Sequence, residues 1–83
     1  MPSYDDILAE VCEALRPFAK EGQTLAAETE LVADLGLDSV QVMELLLQIE
    51  DRFDISIPLN ILPDVRTVED LSVQIQKIAE HGS

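Results

Sequence analysis

Three stretches of the chain place apolar residues at helical spacing. From about Ser3 to Arg16, the side chains of Tyr4, Ile7, Leu8, Val11 and Leu15 share one face when each residue is turned by about 100°. Ser3 is a good N-cap and Asp6 stands at the third helical position, a variant of the reciprocal capping box. Pro17 either ends this helix or opens a short new turn through Phe18-Ala19-Lys20, because a proline inside a helix lacks a donor and clashes with the preceding turn. The second stretch, about Ser39 to Phe53, has the clearest start. Asp38 caps it, Gln41 occupies the third helical position, and Leu37 and Val42 are spaced as a hydrophobic staple. Val42, Leu45, Leu46, Ile49 and Phe53 face the expected core. The last helix is expected over about Val68 to Glu80, capped by Thr67 with Asp70 three residues on, and burying Val68, Leu71, Ile75 and Ile78.

The segments between are less regular. Leu59-Asn60-Ile61-Leu62 is apolar but bounded by Pro58 and Pro63, which allows one turn of helix at most. Asp54-Ile55-Ser56-Ile57 alternates, yet four residues without a partner strand form no sheet. From Pro17 to Leu37 runs a stretch of about twenty residues with weak periodicity, and a loop that long in a small domain tends to be functional. Leu25, Leu31 and Leu35 are expected to pin it to the core. The fold expected is all-α: a small bundle of three main helices plus one short helix, with a long first loop. It is read as a single domain over residues 1–83, with an ordered core of about 3–80.

Composition narrows the function. Seventeen acidic residues against five Lys or Arg give a formal net charge of −12. Nucleic acid and anionic membrane surfaces are poor partners for such a chain, whereas basic protein surfaces are attracted from a distance. Disorder is excluded because 47% of the residues are hydrophobic and regularly spaced. The single cysteine, Cys12, precludes an internal disulfide and a CxxC metal site. The aliphatic run Leu45-Leu46-Leu47 is far too short to span a bilayer, and Met1-Pro2-Ser3-Tyr4-Asp5-Asp6 has no signal-peptide pattern. A soluble, cytoplasmic, monomeric domain is expected.

Catalytic constellations are missing. The only histidine, His81, lies in the expected exposed tail, so no Ser–His or Cys–His pairing is formed, and a non-catalytic protein is expected. Cys12 at the edge of the first helix's apolar face reads as a small core-edge hydrophobe, a thiol with a role of its own being the alternative. Asp34, Gly36 and Asp38 lack the spacing of a calcium loop, and no metal site is expected. One local arrangement stands out: Asp34-Leu35-Gly36-Leu37-Asp38-Ser39-Val40. Gly36 permits a tight turn, and Ser39 falls at the first helical position, where backbone N–H groups and the helix dipole favour a phosphate ester. The plainer reading is that Ser39 assists capping. Val40, Met43 and Leu47 form a second stripe on this helix, bordered by Glu44, Gln48 and Asp51. The stripe is either a docking surface or part of a wide buried arc, and its spacing admits both.

The Asp34–Val40 segment resembles the Asp-Ser-Leu attachment motif of acyl carrier proteins. The similarity continues from Gln41-Val42-Met43-Glu44-Leu45 through Phe53-Asp54 to Ile57-Pro58, resumes at Thr67-Val68-Glu69-Asp70-Leu71, and so covers nearly the whole chain. It implies that a phosphopantetheinyl transferase moves 4′-phosphopantetheine from coenzyme A onto Ser39, and that an acyl chain is carried as a thioester on the arm's thiol. Asp38 would lie near the attachment chemistry and help hold the transferase complex's magnesium ion. Val40, Met43, Glu44, Leu47 and Asp51 match positions contacted by acyl-loading and acyl-transferring enzymes, whose docking surfaces are basic. Acyl chains are expected in the bundle interior between the second and last helices, lined by Leu46, Ile61 and Ile75. Fatty-acid, lipid or related secondary-metabolite biosynthesis is the implied setting. Gln41, Val42, Gln48 and Arg52, the Arg16–Gly22 loop and the apolar Pro58–Pro63 segment depart from the commonest fatty-acid carriers and suggest a specialised bacterial member, faintly similar to carriers dedicated to sphingolipid synthesis. The rival readings are a peptidyl or aminoacyl carrier, a helical interaction module without a prosthetic group, and a small enzyme.

Overall fold

The computed structural model describes residues 3–82, apart from the side chains of Leu59 and His81. The expectation of an exposed His81 side chain therefore lies outside the described residues. Helix α1 spans Tyr4–Leu15, α2 Ser39–Phe53 and α3 Val68–Gly82, with 3-10 helices at Arg16–Phe18 and Leu59–Asp64 and no strand among the described residues. This is the all-α bundle expected, with its long first loop.

Each main helix starts where its capping sequence stands. At α1 the Ser3 hydroxyl accepts from the Asp6 amide at 3.2 Å, and the Asp6 carboxylate accepts from the Ser3 amide at 3.3 Å. The helix buries Ile7, Val11, Ala14 and Leu15, and Tyr4 and Leu8 are half-buried at its margins. The α-helix stops at Leu15, as the first reading of Pro17 has it; the short turn of the second reading forms as a 3-10 turn over Arg16–Phe18 and does not reach Ala19 and Lys20, because Ala19 is extended. At α2 the Asp38 Oδ1 accepts from the Gln41 amide at 2.8 Å while the Gln41 Oε1 accepts from the Asp38 amide at 3.1 Å. Val42, Leu45, Leu46 and Ile49 are buried, Phe53 is half-buried, and Asp54 ends the helix in the left-handed region. Helix α3 runs to Gly82, two residues beyond the expected Glu80. Val68, Leu71 and Ile75 are wholly buried and Ile78 half-buried. Ser72 is also wholly buried, though hydrophobic spacing does not mark it; its hydroxyl donates to the Val68 carbonyl at 2.9 Å, so it sits in the core without an unmet polar group.

Helix α1 packs against both α2 and α3. Their buried faces, with Leu31, Leu35, Leu37 and Ile57, form one core cluster. The Leu59–Asp64 segment is longer than the single turn expected. Its six residues make two turns at about three residues each. Pro63 is tolerated because the bonds close on either side of it, from the Ile61 amide to the Pro58 carbonyl (3.3 Å) and from the Val65 amide to the Leu62 carbonyl (3.2 Å).

The long loop is fastened rather than loose. The Glu69 amide donates to the Ala27 carbonyl (2.8 Å), the Val68 amide to Thr29 (2.9 Å), and the Leu31 amide to Arg66 (2.9 Å), with Glu30 and Thr67 in an isolated antiparallel bridge. Thr29 is buried, and its hydroxyl accepts from the Ala26 amide at 2.9 Å. Leu31 and Leu35 are buried and Leu25 half-buried, so the three leucines pin the loop as expected. Leu37 joins them. The exposed Arg66–Glu30 ion pair at 3.1 Å adds little.

Two stability measurements check these caps. The Asp70 carboxylate accepts from the Thr67 and Arg66 amides at 3.1 and 3.2 Å, and these hydrogen bonds hold its pKa below the ordinary carboxylate value. A depressed folded-state pKa stabilises the fold above the unfolded-state value and ceases to do so as pH falls through the folded one. In urea unfolding, the advantage of the wild type over Asp70→Asn is therefore full near neutrality and shrinks below about pH 4. Removing the α2 cap by Asp38→Ala is expected to cost about 1 kcal/mol in the same assay.

Candidate functional site

The residues before α2 set where that helix begins. Amides of Asp34 and Leu35 both donate to the Glu30 carbonyl (3.0 and 3.2 Å), that of Gly36 donates to Val32 (2.9 Å), and that of Leu37 to Leu31 (3.1 Å). The Asp34 carboxylate accepts from the Glu30 amide at 2.8 Å, and the Gln23 side chain reaches across to the Asp34 carbonyl at 3.0 Å. Gly36 reverses the chain with φ +68°, a conformation that side chains with a Cβ rarely adopt. A Cβ there would meet nothing within 4 Å, so backbone conformation rather than space favours glycine. Leu37 then inserts into the core, and Asp38, Ser39 and Val40 emerge at the surface.

Four amide groups at a helix start lack intrahelical partners. At α2 the capping box satisfies those of Asp38 and Gln41. The amides of Ser39 and Val40 have no partner among the described residues. The Ser39 hydroxyl is exposed beside them and takes no part in the cap, so the plainer reading of this serine as a capping aid finds no hydrogen bond to support it. An exposed hydroxyl, two free donors and the positive end of a fifteen-residue helix suit an attached phosphate diester.

The second stripe of α2 lies outside the core. Val40 is 63% exposed, Met43 42% and Leu47 62%, with Glu44, Gln48 and Asp51 also exposed beside them. Of the two readings that spacing left open, the wide buried arc is thus excluded. Arg52 is drawn away to α1, where its guanidinium meets the Glu10 carboxylate at 2.7 Å. A fourth exposed apolar residue, Val32 (65%), had no periodic signal to reveal it, because it stands alone in the turn between Leu31 and Leu35.

A recess of about 200 Å³ opens next to Ser39, lined by Leu31, Val32, Asp38, Ser39, Val42, Leu62 and Val65. None of Leu46, Ile61 and Ile75 lines it. Leu46 and Ile75 are closed into the core, and Ile61 is half-buried against it. Cys12 is likewise half-buried against the core, and burial pushes its thiol pKa up, which suits a packing role better than a nucleophile. Among the described residues no helix is long and apolar enough to cross a membrane, and no group of three or more His, Cys, Asp or Glu side chains gathers to hold a metal ion.

Comparison with known proteins gives this geometry a family. The family described as "Phosphopantetheine attachment site" matches residues 5–74. The chain is 44% identical over 52 residues to a protein of Caulobacter vibrioides named "Probable acyl carrier protein", covering 63% of this chain and 60% of that one. It is 35% identical over 71 residues to the mitochondrial acyl carrier protein of Saccharomyces cerevisiae, covering 80% and 57%. With the meromycolate extension acyl carrier protein of Mycobacterium tuberculosis it shares 32% identity over 81 residues, covering 96% and 70%. The chain thus spans about six-tenths of the length of the first two relatives. The start of α2, with its exposed serine and unpartnered amides, lies inside the matched region, and the chain belongs to the acyl carrier proteins, the family that binds 4′-phosphopantetheine.

Proposed function

We propose that Ser39 carries the 4′-phosphopantetheine arm and that the protein delivers acyl groups to partner enzymes of fatty-acid, lipid or related secondary-metabolite biosynthesis, without catalysing a reaction itself. The observation that supports this reading most directly is the start of α2: an exposed hydroxyl beside the unpartnered Ser39 and Val40 amides. When bound, the arm supplies a terminal thiol that holds an acyl group as a thioester. The chain's own part is to hold the attachment point rigid and to be recognised. Asp38 uses Oδ1 in the cap, while its Oδ2 has no hydrogen bond among the described residues and is free for a cation brought by a transferase.

Val40, Met43 and Leu47 offer apolar contacts, and Glu44 and Asp51 offer charge to basic docking surfaces. Carboxylates at a rim speed encounter with a cationic partner, and a small apolar patch releases it readily. A carrier that visits several enzymes needs both. The net charge of −12 strengthens the long-range attraction.

Incubation with coenzyme A and a broad-specificity phosphopantetheinyl transferase tests the proposal. Intact-mass measurement is expected to show a gain of one phosphopantetheine, absent in Ser39→Ala, whose stability stays within about 0.5 kcal/mol of wild type because the hydroxyl supports no fold contact. No gain in the wild type would favour an interaction module without a prosthetic group. Leu47→Asp, on the exposed stripe, is expected to raise the transferase KM by about tenfold, equivalent to about 1.4 kcal/mol, with the fold intact.

A further inference from the structure

The part of the long loop nearest α1 is tied in a different way from the rest. Lys20-Glu21-Gly22-Gln23 forms a β-turn in which the Gln23 amide donates to the Lys20 carbonyl at 2.9 Å. Gly22, third in the turn, has a φ of +80°, which glycine adopts without strain. The Gln23 side chain works on both sides of this turn. Its Oε1 accepts from the Lys20 amide at 2.9 Å, and its Nε2 donates to the Asp34 carbonyl, eleven residues on, at 3.0 Å. Among the described residues no other hydrogen bond joins residues 16–25 to residues 30–40.

Neither end of this strut has a ready substitute. On the α1 side the turn stands over an opening of about 510 Å³, lined by Cys12, Arg16, Lys20, Leu25 and Gln23 itself among others, so close packing does not set its distance from the helix. On the α2 side, Asp34 already uses its amide on the Glu30 carbonyl (3.0 Å) and its carboxylate on the Glu30 amide (2.8 Å). Its carbonyl is met by Gln23 alone among the described residues. From Asp34 the chain passes through the Gly36 reversal and the Asp38 cap, so slack at that carbonyl is felt at Ser39. Amide chemistry explains why glutamine serves here. One side-chain amide offers an acceptor and a donor in a fixed plane, whereas an ionised carboxylate offers acceptors only and an aliphatic group neither.

Resting on the reading of Ser39 as the attachment residue, we propose that Gln23 is a positioning residue for loading of the arm. It spans the gap between the Lys20–Gln23 turn and Asp34, and so steadies the turn that delivers the Ser39 hydroxyl to a phosphopantetheinyl transferase. It acts through Asp34 rather than on the hydroxyl or the arm. Val40, Met43 and Leu47 project from α2, whose opposite face is fixed in the core without Gln23. Loss of the strut therefore affects the step after docking, not docking itself.

The test compares the wild type with Gln23→Ala and Gln23→Glu as acceptors for a broad-specificity transferase at saturating coenzyme A. Both variants are expected to lower kcat about fivefold while the KM for the carrier stays within about twofold, because a displaced reacting group costs turnover rather than encounter. Amide hydrogen exchange separates the two halves of the bridge. The Lys20 amide is expected to exchange faster in Gln23→Ala but to stay protected in Gln23→Glu, whose carboxylate still accepts. The Gly36 and Leu37 amides exchange faster in both variants, and the Leu31, Val68 and Glu69 amides, which report the tie to α3, are unchanged. A wild-type kcat in both variants, a loss confined to KM, or faster exchange at Leu31, Val68 and Glu69 as well would overturn the proposal while leaving attachment at Ser39 intact. Failure of the wild type to accept the arm would overturn both.

Discussion

Three backbone hydrogen bonds tie the stretch between α1 and α2 to the start of α3: Glu69 to Ala27, Val68 to Thr29 and Leu31 to Arg66. They satisfy amides that the first turn of α3 and a long loop would otherwise leave without partners. Because Leu31 is fixed there, the turn from Leu31 to Gly36 has a fixed origin, and the Leu37 amide returns to the Leu31 carbonyl. The place where α2 begins is therefore set from α3, through the loop, rather than by α2 alone. A hydroxyl on a helix tip is presented to a partner in one way only if the tip stays in one position relative to the surface around it.

The same construction separates two roles along α2. Its core face, Val42, Leu45, Leu46 and Ile49, joins the cluster shared with α1 and α3. The opposite stripe carries apolar side chains that the fold does not need, flanked by carboxylates. Burying Val40 and Leu47 against a partner would recover hydrophobic free energy that the isolated protein forgoes, at about 25 cal/mol for each Å² removed from water. The capping box uses the Asp38 and Gln41 side chains for the outer two amides and leaves the inner two, Ser39 and Val40, without a partner among the described residues.

What could be seen in the residues alone follows from how local each interaction is. The three N-caps were legible because Ser3–Asp6, Asp38–Gln41 and Thr67–Asp70 are contacts across three residues. Helix faces were legible because their periodicity is local too. The exposure of Val40, Met43 and Leu47 was not, since spacing gives the angle of a side chain on its helix and not what lies opposite. The loop's anchorage was hidden because Ala27, Thr29 and Leu31 bond to residues about forty positions away through backbone groups that every residue type shares. Val32 escaped notice as a lone apolar residue in a turn, and Ser72 as a polar residue whose hydroxyl is satisfied one helical turn back. Pro63 made the second 3-10 helix look shorter than it is, because a 3-10 ladder can close on both sides of a missing donor.

The central claim is that the tip of α2 presents one particular hydroxyl for modification. Trypsin cleaves this chain after Lys20 and Arg52, giving a peptide that contains Thr24, Thr29 and Ser39. Fragmentation of that peptide from the transferase-treated protein locates the added mass. The account predicts that every fragment containing Ser39 carries the full phosphopantetheine increment and that fragments lacking it carry none. An increment on Thr24, Thr29 or a residue outside this peptide would contradict it.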